Sequence, residues 1–161
     1  MTVKRLKSEG GFTIVEVMIT AVILLVAVLG SSGYRYYAAL DARKAAQQAA
    51  AARVGLILCE SWHGVGGIGT YDPVAHLGTN MTISAMTGFD GSGYKEADFT
   101  LLGCYQVVAN HTTYGAVMSW KDVNSGLRAL SVVVTWPLEN GNLDVQSPGQ
   151  KTYELTTYTP I

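Results

Sequence analysis

Polar and basic residues fill the first eleven positions, MTVKRLKSEGG, and an almost unbroken apolar run follows from Phe12 to Leu29. As a helix at about 1.5 Å per residue that run is ~27 Å long, close to the hydrocarbon thickness of a bilayer. One charge interrupts it, Glu16. An ionisable side chain inside a membrane segment costs free energy and so points to a function. The helical pattern continues through SSGYRYYAALDARKAAQQAAAARVGLILCESW to about Trp62. Alanine-rich stretches favour helix strongly. Tyr34, Tyr37, Ala38, Ala45, Ala49, Ala52, Leu56 and Cys59 recur at three- and four-residue steps, which predicts an apolar stripe. The whole helix would run about 50 residues, ~75 Å. Gly30 and Gly33 mark the end of the apolar run and weaken it locally.

After Trp62 the pattern changes. HGVGGIGTYDPV is Gly-rich and reads as loop. Short segments rich in β-branched and aromatic residues follow, near residues 81–86, 101–109, 115–121, 130–136 and 153–158. One long helix and then consecutive strands predict an α+β architecture, an antiparallel sheet packed on the helix. The expected organisation is a leader at 1–11, a membrane helix at 12–33, its amphipathic continuation at 34–62 and a β-sheet head at 63–161.

Charge sharpens the reading of the N-terminus. Lys4, Arg5 and Lys7 precede the apolar run, which predicts that the N-terminus stays in the cytoplasm while the rest is exported. Without residues 1–11 the chain would carry 8 basic and 11 acidic residues, a net of −3. That balance supplies no basic footprint for nucleic acid, and Lys121, Arg128 and Lys151 are too scattered to make one. Three fates are open for such a start. A secretory signal would be cut after the run, near Gly30–Gly33, and a plain anchor would not be cut at all. A third possibility is a cut before the run, after Gly11.

The string GGFTIVEVMITAVILLVAVLG, with its basic leader, resembles the N-termini of type IV pilins and the pseudopilins of type II secretion. The matching residues are Lys4, Arg5, Lys7, Gly11, Phe12 and Glu16. The resemblance implies cleavage between Gly11 and Phe12 by a membrane prepilin peptidase, with methylation of the new amino group. It also implies that Glu16 pairs with the amino terminus of a neighbouring subunit in a filament, and that the fold is that of a pilin. Partners would be other pilin subunits, the peptidase and an inner-membrane assembly platform, and the destination a pilus or pseudopilus. The stretch VEVMITAVILLVAVLG and the late VTW and YELTTY strands lean toward I-type pseudopilins and minor pilins. A major pilin and an anchored adhesin or DNA-uptake module remain the alternatives.

The remaining chemistry is sparse. Cys59 and Cys104 lie 45 positions apart without a Cys-x-x-Cys, so zinc is not expected. In an exported domain a disulfide between them is the expectation, with a chain-entropy contribution of about 4 kcal/mol; two buried free thiols are the other possibility. Gly64, Gly66 and Gly69 form a literal GxGxxG, but a helix precedes it rather than a strand, so it reads as chance. Asp90–Asp98 clusters oxygen ligands without the order of a calcium loop and reads as a solvated turn. His63, His76 and His111 are scattered, and no nucleophile with its base can be assembled; no enzyme, cofactor or metal is expected. Asn80-Met81-Thr82 and Asn110-His111-Thr112 match a short glycosylation sequon.

Overall fold

A computed structural model describes residues 13–87, 89–136 and 151–161. The junction Gly11–Phe12 and the leader residues Lys4, Arg5 and Lys7 lie outside the described residues. The element order is helix α1 (Ile14–Gly64), helix α2 (Pro73–Leu77), strand β1 (Thr82–Ala85), a 3-10 turn (Gly91–Tyr94), and strands β2 (Thr100–Ala109), β3 (Thr112–Asn124), β4 (Leu127–Trp136) and β5 (Lys151–Pro160). The chain divides between Lys44 and Ala45 into two compact units.

In the first unit α1 carries the apolar run. Its large side chains from Ile14 to Leu29 are all exposed. It is long and apolar enough to cross a membrane. An added Cβ at Gly30 or Gly33 meets nothing within 4 Å among the described residues.

In the second unit, residues 45–64 of α1 pack on a five-stranded antiparallel meander in the order β1-β2-β3-β4-β5. The chain is therefore α+β, as expected. Ala51, Val54, Leu58 and Trp62 lie on one face of the helix and are buried against Val107, Tyr114, Ala116, Met118, Leu130, Val132 and Val134. Gly55 packs beside the Tyr153 and Val134 side chains, where a Cβ would make ordinary contact at 3.4–3.5 Å. Burial of each large apolar side chain contributes roughly 1.5–3 kcal/mol.

The buried stripe is not the expected one. Of the helix positions read as apolar, Cys59 is buried, Ala52 half-buried, and Ala45, Ala49 and Leu56 are exposed. Alanine is too small to fix a face, and a parallel series ending at Trp62 carries far more apolar area. That series wins, and Leu56 and Ile57 are left 44% exposed.

The Gly-rich segment after α1 ends the helix. Gly66 and Gly67 have φ of +74° and +63°, and the Gly67 amide donates to the Trp62 carbonyl at 3.0 Å. Trp62 Nε1 donates to the Ile68 carbonyl at 2.9 Å, which fastens the loop to the core. Gly69 sits against the Trp120 ring. The GxGxxG therefore builds a helix terminus. Helix α2 begins on the last two residues of the stretch read as loop and runs beyond it; Asp72 caps it by accepting from the Val74 amide at 3.0 Å, and Pro73 opens it.

Candidate functional site

Glu16 is the third residue of α1. Thr13 stands just before the helix and caps it. The Glu16 amide donates to the Thr13 carbonyl at 3.1 Å and to Thr13 Oγ1 at 3.4 Å, and the Val17 amide donates to the same carbonyl at 3.2 Å. Thr13-x-x-Glu16 is the spacing of a capping box. That spacing is legible in the sequence. A carboxylate in the first turn also sits at the positive end of the helix dipole, worth about 0.3–1 kcal/mol at an exposed site.

Two other hydroxyls along α1, those of Thr20 and Ser31, are satisfied by their own helix. Thr20 Oγ1 donates to the carbonyls of Glu16 (3.0 Å) and Val17 (2.9 Å), and Ser31 Oγ to that of Val28 (3.0 Å). A carboxylate only accepts, so it cannot donate to its own helix carbonyls as these hydroxyls do. Among the described residues no side chain pairs with the Glu16 carboxylate. Its neighbours are exposed apolar side chains: Ile14, Val15, Val17, Met18 and Ile19. The arrangement is an anion on an apolar helix surface.

The expected disulfide is not shown. Both thiols are free and buried. Cys59 faces the core between α1 and the sheet, with Tyr105 and Val107 of β2. Cys104 belongs to a separate cluster with Val117 and Val133, joined by Met86, Phe89 and Tyr94. Neighbouring residues of a strand point to opposite faces, so Tyr105 and Cys104 look away from each other. The sheet itself stands between the two sulfurs. Burial pushes both thiols up, with Glu60 adding to the shift at Cys59, while an amide contact from Gly91 opposes it at Cys104. Raised thiols carry little thiolate and react slowly.

The other candidates separate. Asp90 caps the 3-10 turn, accepting from the Ser92 amide at 3.0 Å and from Ser92 Oγ at 2.9 Å, and these bonds hold its carboxyl below the usual range. Asp98 faces Lys121 at 3.5 Å. The two aspartates of this segment thus turn to different partners. His76 stacks on Tyr71 at 5.1 Å, and His111 occupies the β2–β3 turn with φ of +61°. Among the described residues no three His, Cys, Asp or Glu gather as a metal site.

Comparison with known proteins adds one positive finding. Residues 6–32 match the family model of the prokaryotic N-terminal methylation motif. The match spans Gly11, Phe12, Thr13 and Glu16 together with the apolar run, and supports the likeness to type IV pilins and pseudopilins. Neither the curated proteins nor the solved structures gave a match.

Proposed function

On the premise that the chain belongs with the type IV pilins and pseudopilins, we propose that it is a structural subunit of a pilus-like filament or pseudopilus, made as a precursor and cut after Gly11. The observation that carries this reading is the methylation motif over residues 6–32, with Glu16 on an apolar helix and no side-chain partner for it among the described residues. In the precursor the helix lies in the inner membrane, leader inward and head outward. Cleavage removes Lys4, Arg5 and Lys7, charges that an apolar bundle could not hold. It also creates a cationic amino group on Phe12. A neighbouring Glu16 accepts that cation. Each charge is expensive alone in a low-dielectric bundle and tolerable when paired, so the contact sets axial register more than it adds stability.

Assembly then exchanges helix–lipid contact for helix–helix contact. Lipid supplies little driving force for this, so packing and the charge pair decide the geometry. The protein is a scaffold subunit in this account, not a catalyst. Within the class the reading leans to a minor, I-type-like subunit. A major pilin differs in being the dominant band of sheared filaments, and an adhesin or DNA-uptake pilin in showing ligand binding by the isolated head.

Glu16→Val tests the pairing. It should still enter the membrane fraction and still be processed, yet be missing from filaments. Incorporation at the parent level would overturn the role given to Glu16.

A further inference from the structure

We propose that Tyr34, Arg35, Tyr36 and Tyr37 form a collar that lies in the lipid headgroup layer and fixes the depth of the apolar helix before assembly. The proposal rests on reading residues 12–29 as a membrane span.

The first argument is position. Tyr34 to Tyr37 begin five residues beyond Leu29, about 7 to 12 Å further along the helix. The headgroup region on each side of the hydrocarbon core is about 5 to 8 Å thick. Side chains on a helix lean toward its N-terminus, so these rings reach back toward the bilayer by part of their own length. The turn they lean over is Gly30-Ser31-Ser32-Gly33, and its glycines leave open space.

The second argument is shape. Four consecutive residues at about 100° steps surround a helix on all sides. The three tyrosines are 77%, 64% and 68% exposed, and Arg35 is exposed between them. A neighbouring protein would cover one stripe, at three- and four-residue spacing. A planar lipid interface covers every side at one height. Tyrosine suits that height, with an apolar ring and a hydroxyl for water or phosphate. Arg35 adds a cation that complements lipid phosphate. Tyr36 and Tyr37 pack edge to face with centroids 5.8 Å apart, leaving both outer ring surfaces for lipid.

The test uses the full chain in vesicles of phosphatidylcholine and phosphatidylglycerol, first shown to float with them. Flotation failure would sink the span reading itself, and the collar with it. In floating protein, Tyr36→Trp adds fluorescence that should be quenched by lipids brominated near the headgroup and far less by lipids brominated at the chain ends. Floating protein whose added fluorescence neither lipid quenches would overturn the collar alone. A Ser32→Cys probe then reads depth with a water-soluble maleimide, the native thiols being buried. Replacing all three tyrosines by Ala should speed its labelling several-fold, and replacing them by Trp should not. Equal rates in all three backgrounds would overturn the claim that the collar fixes depth.

Discussion

The guanidinium carbon of Arg128 lies 4.0 Å from the centre of the Trp120 ring. The same side chain grips Asp122, with Nε donating to Oδ1 at 2.6 Å and an Nη to Oδ2 at 3.1 Å. Its other Nη donates to the Gly67 carbonyl at 3.0 Å. One arginine thus ties strands β3 and β4 to the loop that leaves α1. Only a planar fork can stack and donate on two sides at once. Arg128→Lys should keep the charge and still lose most of the clamp. A loss of about 2 kcal/mol is expected by denaturant titration, near that of Arg128→Ala. Full retention by lysine would show that charge alone matters.

The same contact fixes a pH dependence. The hydrogen bonds from Arg128, and then its charge, hold the Asp122 carboxyl below the usual carboxylate range. A depressed folded-state value stabilises the fold at pH above the unfolded value, about 3.9. That contribution is lost as pH falls through the folded value. The Tm gap between parent and Asp122→Asn should therefore be widest near neutrality and close in acid. A gap that widens in acid would contradict the assignment.

Two adjacent glycines should respond differently to alanine. Both have positive φ, but a Cβ on Gly66 meets open space, whereas one on Gly67 falls 2.5 Å from Thr159 Cγ2. Gly66→Ala then carries only backbone strain, about 1 kcal/mol, and Gly67→Ala adds a clash for roughly 3 kcal/mol in all. Equal losses on thermal unfolding would place the loop differently.

Ser119 and Ser131 face each other across β3 and β4, both buried, and neither hydroxyl has a hydrogen-bond partner among the described residues. A buried hydroxyl without a partner is a cost. Ser131→Ala should be neutral or stabilising by up to about 1 kcal/mol. A clear drop in Tm would reveal a partner for the hydroxyl.

The sulfurs give a chemical prediction. Cys59 and Cys104 should both titrate as free thiols after denaturation and stay silent before it, with Tm unchanged by reductant. An intact mass showing the paired hydrogens lost, and reductant lowering Tm, would restore the bridge.

These cases show which parts of the fold the sequence exposes. The helix was legible because the apolar run and the alanines agree over many turns. All five strands were legible from β-branched runs, though β3 extends to Thr112 and Asn124, residues that resemble turn formers. The cysteine geometry was hidden by register. A bulge between Leu101 and Gly103 breaks the alternation of β2, so Leu102 joins the same core as Tyr105 while Cys104 turns away. No spacing rule carries that information, since it depends on which strand faces what. At the candidate site Glu16 stood out because its charge violates its surroundings. Thr13 did not, because a threonine beside an apolar run is unremarkable until its carbonyl and hydroxyl are seen to cap the helix.

The central claim is that this N-terminus is a processing and assembly signal. Its most direct test is the N-terminal sequence and intact mass of the protein recovered from its native cell envelope. The expected product starts at Phe12 and carries one added methyl group. A chain starting at Met1, or near Ser32 or Gly33, would contradict it and leave Glu16 without the partner assigned to it.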